Sequence, residues 1–106
     1  MLPRADQAWF DRVKLENWIL GAEGHGREWK RVFHVDPGDW ERVWEAIAQA
    51  TIGATIRVVR DRSPFGVVCG IEVDLTIDGR TATSTLSWHY AEEGAAPRLV
   101  TAYLTL

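Results

Sequence analysis

The most basic stretch of the chain is His25-Gly-Arg27-Glu-Trp-Lys30-Arg31-Val-Phe-His34. On a helix, Arg27, Lys30, Arg31 and His34 stand at i, i+3, i+4 and i+7 and share one face, with His25 at the helix start. A cationic side opposite a buried Trp29/Phe33 side suits a helix that grips phosphate. The plainer reading is the solvated face of an amphipathic helix. Arg57, Arg60 and Arg62 form a second cluster, and the opposite parity of Arg57 and Arg60 predicts different faces on a regular strand. There the plainer reading is an edge strand protected by charge.

The three histidines are His25, His34 and His89. No two have the helical i, i+3 or i+4 spacing of a metal pair, so no metal site and no cofactor are expected. His89 falls on the polar side of a strand, near where Thr101 and Tyr103 of the next strand project. A histidine beside hydroxyls and a basic helix is a general acid/base set suited to phosphodiester cleavage, although the same residues also occur as surface decoration. Glu72 and Asp74 share a strand face, but pairing opposite Thr85 and Thr83 accounts for them without a reaction. The single cysteine, Cys69, belongs to an apolar strand face and excludes an internal disulfide. Nucleophile-elbow, phosphate-loop and dinucleotide glycine patterns are absent from the sequence.

Two halves must position these groups. Up to about residue 50 the apolar spacing is helical. A first helix is predicted over 11–20, with Phe10, Val13, Leu15, Trp18, Ile19 and Leu20 as its apolar residues and Gly21 as its stop. The loop Ala22-Glu23-Gly24 leads to a second helix over 25–34. A third is capped by Asp36, with Pro37 in its first turn, and buries Trp40, Val43, Trp44 and Ile47.

The second half, about 55–105, reads as four strands. The first spans roughly 55–60. Asp78-Gly79 is a two-residue hairpin signal, and it pairs Ile77 with Arg80, Leu75 with Ala82, Val73 with Ser84, Ile71 with Leu86 and Cys69 with Trp88. That face is almost wholly apolar. The opposite face gathers Glu72, Asp74 and Thr76 against Thr85, Thr83 and Thr81, and a one-residue slip would destroy the segregation. A last strand over 98–105 alternates Leu99, Thr101, Tyr103 and Thr105 against Val100, Ala102, Leu104 and Leu106. The expectation is a single α+β domain over 1–106, with about three N-terminal helices packed on a four-stranded antiparallel sheet.

Composition narrows the function classes. The chain has 106 residues, 46% hydrophobic and 25% charged, with six tryptophans, which is the balance of a folded domain. No apolar run reaches the roughly 18 residues of a membrane span, and Met1-Leu2-Pro3-Arg4-Ala5-Asp6 has no apolar signal segment, so neither membrane nor signal peptide is expected. The formal net charge of −3 leaves nucleic acid only a local basic patch to bind.

The ending Arg98-x-Val100-Thr101-Ala102-Tyr103 resembles the last strand of toxin domains in the barnase/EndoU/colicin/RelE-like (BECR fold) ribonuclease superfamily. Across about residues 12–104 the chain is similar to a small uncharacterised bacterial domain family associated with toxin-type gene neighbourhoods. The matching stretches are Lys14-Leu15-x-x-Trp18-Ile19-Leu20, His25-x-x-x-x-Lys30-x-x-Phe33, Pro64-Phe65-Gly66, Asp78-Gly79-Arg80, Trp88 and the ending.

The resemblance implies a metal-independent endoribonuclease toxin of a toxin–antitoxin or toxin–immunity system. Such enzymes cleave RNA by attack of the ribose 2′-hydroxyl on the adjacent phosphate. It casts His25 as general acid or base, Lys30 as phosphate stabiliser, and Thr101 and Tyr103 as groups positioning phosphate or leaving oxygen. Arg27, Arg31, His34, Arg80, His89 and Arg98 are substrate-binding candidates. The implied partners are RNA, with tRNA one candidate, and a cognate antitoxin or immunity protein, with no DNA. The implied site of action is the cytoplasm, reached in some systems by secretion within a larger effector. The acidic balance then places RNA in a narrow basic groove between the second helix and the sheet. The alternatives are a non-enzymatic partner-binding or immunity-like domain on the same fold, and a small-ligand pocket between helices and sheet.

Overall fold

The computed structural model describes residues 1–21 and 24–105. Asp11 opens α1 (Arg12–Lys14), its carboxylate accepting from the Val13 and Lys14 amides at 2.9 and 3.3 Å. The helix then widens into a π turn, Leu15–Ile19, closed by the Leu20 amide on the Leu15 carbonyl at 2.9 Å. The wider turn brings Leu15, Ile19 and Leu20 to the core side and leaves Val13 and Trp18 outside, 65% and 51% exposed. That corrects the expectation that both are core residues of this helix. Of the predicted loop 22–24, residues 22 and 23 lie outside the described residues.

Helix α2 (Gly26–Phe33) buries Trp29 and Phe33 and stops at His34, which takes the left-handed conformation at φ 58°. A tight turn over Pro37–Asp39 then feeds α3 (Trp40–Thr51). Asp39 reaches back to accept the Asp36 amide at 2.9 Å, and its other carboxylate oxygen meets Arg42 at 3.0 Å. Val43 and Ile47 form the buried stripe of α3, flanked by half-buried Trp40 and Trp44. Phe10 wedges against Trp44 and Trp40, with centroids 4.3 and 5.7 Å away, and Trp44 meets Trp88 of the sheet edge-on at 6.1 Å. This aromatic chain ties the N-terminal segment and α3 to the sheet.

The sheet is an antiparallel meander, β1 (Ile56–Asp61), β2 (Val67–Ile77), β3 (Arg80–Tyr90) and β4 (Arg98–Leu104), in the order β1-β2-β3-β4. The fold is therefore α+β, three helices on a four-stranded antiparallel sheet. The central hairpin pairs Ile77 with Arg80 through Cys69 with Trp88, in the register that Asp78-Gly79 dictates. Asp78 and Gly79 both take positive φ, 50° and 80°. Ile71, Leu75, Leu86 and Trp88 are buried under the helices. Among the described residues the opposite face carries no helix. On it Asp74 accepts from the Thr83 hydroxyl at 2.9 Å, and Glu72 stands 3.9 Å from Arg57.

Irregularities in both outer strands overturn two parity arguments. In β4 the pairing steps from Ser87–Thr101 to Trp88–Leu99, which leaves Val100 as an inserted residue. Leu99 consequently shares the buried face with Ala102 and Leu104, rather than the polar face with Thr101 and Tyr103. Leu106 lies outside the described residues. In β1 the register shifts between Ile56 and Val58. Arg57 reaches Glu72, and Arg60 lies opposite Val68, an even-numbered β2 position like Glu72, so both arginines belong to the open face. Among the described residues no helix is long and apolar enough to cross a membrane.

Candidate functional site

Two elements bring the chemistry-bearing residues together along β4. Trp29 of α2 is fully buried and donates its indole N–H to the Ala102 carbonyl at 3.4 Å, which holds the helix against that strand. The His25 amide donates to the Trp18 carbonyl at 3.1 Å, so the start of α2 is anchored on the end of the π turn. As a result the His25 ring lies 5.7 Å from the Tyr103 ring, centroid to centroid and tilted by 40°. Strand alternation turns Tyr103 outward while its neighbours Ala102 and Leu104 stay buried, and the Val100 insertion adds Leu99 to that buried face. Thr101, two residues earlier, lies opposite Ser87 on the same open face.

Gly26 makes this approach feasible. A β-carbon there would lie 2.1 Å from the Leu20 carbonyl oxygen and 2.5 Å from that of Gly21, both backbone atoms. Alanine normally favours a helix over glycine by about 1 kcal/mol, but overpacking against backbone costs about 1–3 kcal/mol or more. Gly26→Ala is therefore expected to lower the unfolding free energy, measured by denaturant titration, by about 1–3 kcal/mol.

The other end of β4 is cationic. The backbone of Trp9 runs beside Arg98, exchanging hydrogen bonds with Pro97 and Leu99 at 3.0 and 2.9 Å. Lys14 holds its proton less tightly than an ordinary lysine, first because it is partly buried and then because the Arg98 charge is near, with Asp11 partly offsetting both. Two cations so placed are stabilised by an anion between them. From Arg98 to Tyr103 the strand covers about 16 Å at roughly 3.3 Å per residue. The open-face carboxylates Glu72 and Asp74 stand on β2, two strands away, engaged by Arg57 and Thr83.

The remaining candidates are dispersed. Arg27 and Lys30 line a groove of about 340 Å³ with Gly26, Asp36 and Pro37. It lies between α2 and the connection to α3, rather than between α2 and the sheet. Arg31 and His34 are exposed. Arg80 sits beside the hairpin turn, nine residues along β3 from His89, or about 30 Å in an extended strand. His89 is opposite Arg98, and a ring nitrogen bonds the Phe65 carbonyl in the β1–β2 connection. No cluster of three or more histidine, cysteine, aspartate or glutamate side chains that could hold a metal ion occurs among the described residues.

Residues 1–105 match the family described as a domain of unknown function (DUF6883). The chain belongs to this family. No curated protein and no solved structure matches it. In this DUF6883 chain the β4 strip contains two features that sequence reasoning did not single out as functional. Lys14 is brought within range of the Arg98 charge by the tertiary fold alone. Trp18 is half exposed because of the π turn, which no helical periodicity would have revealed.

A cavity of about 800 Å³ lies at the end of the sheet near Pro3, between the β1–β2 and β3–β4 connections, with Cys69 and Tyr90 in its wall. Burial raises the Cys69 thiol above its ordinary range, and burial together with Cys69 lifts Tyr90 to about 12. The Tyr90 hydroxyl donates to the Pro3 carbonyl at 2.5 Å. A protonated thiol and a committed hydroxyl make this wall chemically quiet.

Proposed function

We propose that this domain binds RNA along β4 and cleaves it by attack of the ribose 2′-hydroxyl on the adjacent phosphate, in the manner of a ribonuclease toxin. The observation that carries the proposal is the meeting of His25 and Tyr103 on the open side of a strand whose other end presents Lys14 and Arg98. His25 takes the proton of the 2′-hydroxyl, and the freed oxygen attacks phosphorus. The bond to the 5′-oxygen breaks, and that oxygen receives a proton from Tyr103 or from water. The products are a 2′,3′-cyclic phosphate and a 5′-hydroxyl end. Lys14 and Arg98 offset the charge of the neighbouring phosphates, and exposed Trp18 offers a face on which an unpaired base stacks.

Incubating the purified domain with total RNA tests this. The expected result is discrete fragments carrying 2′,3′-cyclic phosphate ends, together with growth arrest on induced expression. Intact RNA from folded protein, with no arrest, overturns it. A partner-binding domain is the second reading, favoured by exposed Val58 and Val59 on the sheet edge opposite β4.

A further inference from the structure

We infer that β1 is a docking edge for an extended acidic segment of a partner protein, which adds to the sheet as a fifth strand. β1 pairs with β2 on one side and is the free edge of the meander on the other. Its backbone groups on that side are available to a strand. Unlike the other strands it is exposed on both faces, with Val58 on the open side and Val59 on the helix side at 47% and 61% exposure. The open face presents Arg57 and Arg60 on either side of Val58, and Arg62 follows the strand. Arg60 and Arg62 make no ion pair within 4 Å among the described residues, and Arg57 has only Glu72 at 3.9 Å. Asp61, the one carboxylate on the strand, is turned to the Ser63 amide and hydroxyl at 2.9 and 2.5 Å. The edge is thus cationic and apolar by turns, in a chain whose formal net charge is −3.

This pattern selects its occupant. An antiparallel second copy brings another Arg57, Arg60 and Arg62 to the same edge, and a pairing centred on Arg60 sets arginine directly against arginine. Like charges directly opposite destabilise a ladder. A strand that alternates carboxylates with apolar residues sets its charges on the open side, against Arg57 and Arg60, and its apolar side chains on the helix side, against Val59. RNA would satisfy the arginines but leave both valines and the strand backbone uncovered. The proposal is independent of any reaction at β4, which is the other edge of the sheet.

The test uses dye-labelled eight-residue peptides of alternating Glu and Val, or Lys and Val, with an oligouridylate of equal charge, all read by fluorescence anisotropy. The Glu-Val peptide is expected to bind at least tenfold tighter than the Lys-Val peptide and to slow amide exchange in β1 but not in β4. In the double variant Arg57→Glu/Arg60→Glu the preference is expected to reverse. Gain of Lys-Val binding also shows that the variant is folded. Equal affinity for both peptides, an unreversed preference, equal binding of the oligouridylate at the same edge, or self-association without peptide each overturns the proposal.

Discussion

Trp29→Ala is expected to remove about 3–5 kcal/mol of stability, the cost of truncating a large buried aromatic. That is a substantial fraction of the roughly 5–15 kcal/mol that holds a domain of this size together. Three consequences add in one direction. A fully buried side chain is lost, Phe33 loses a ring 5.5 Å away, and the Ala102 carbonyl loses its donor. Guanidinium unfolding followed by far-ultraviolet dichroism reads the change as a fall in midpoint. Trp29→Phe separates the parts, because it keeps most of the aromatic volume and deletes the donor. Trp88 provides the contrast. It is equally buried, but its indole N–H has no hydrogen-bond partner among the described residues. Trp88→Phe relieves an unsatisfied donor while losing volume, so its cost is expected to fall below that of Trp29→Phe. A larger loss at Trp88 would contradict the assigned bonding.

The second large effect concerns the proposed reaction. Removing a general acid or base costs about 10²–10⁴ in rate, so His25→Ala is expected to slow RNA cleavage by that factor. At 1.36 kcal/mol per tenfold this is about 3–5 kcal/mol of transition-state stabilisation. Tyr103→Phe is expected to cost less, since water can replace a phenolic donor. The double variant is expected to fall short of the product of the two single effects, because groups acting on one proton-transfer step do not contribute independently. Single-turnover cleavage of a short labelled RNA measures all three. Lys14→Ala should weaken binding and flatten its salt dependence more than Lys30→Ala, since Lys14 lies within range of the Arg98 charge while Lys30 lines a different groove. Equal rates for wild type and His25→Ala would remove His25 from the chemistry.

The central hairpin was legible because two local signals agree. The Asp78-Gly79 turn allows one register, and in that register every apolar residue of both strands except Val68 falls on one side. Helix starts were legible for a similar reason, since Asp11 caps α1 and Asp36-Pro37 opens the turn that leads into α3, both through local hydrogen bonding. The π turn, the Val100 insertion and the β1 shift left no such trace. Each changes phase by a single residue, and parity arguments assume constant phase. The exposure of Trp18, the burial of Leu99 and the shared face of Arg57 and Arg60 all follow from those steps. At the site, His25 and Tyr103 were both named in advance, but their proximity depends on the buried Trp29–Ala102 contact. Lys14 was overlooked as a cation of the strip because Arg98 lies far away in sequence.

The meander order also has a kinetic consequence. Every strand finds its partner next to it in the chain, and β2–β3 closes through only two residues, so the entropy of bringing strands together is small. That hairpin is positioned to form first, with β1 and β4 joining from opposite sides in separate events. The two outer strands share no ladder, so one can fray and reclose while the other stays in place. A segment captured at one border and a substrate held at the other would therefore compete only through the common hairpin between them.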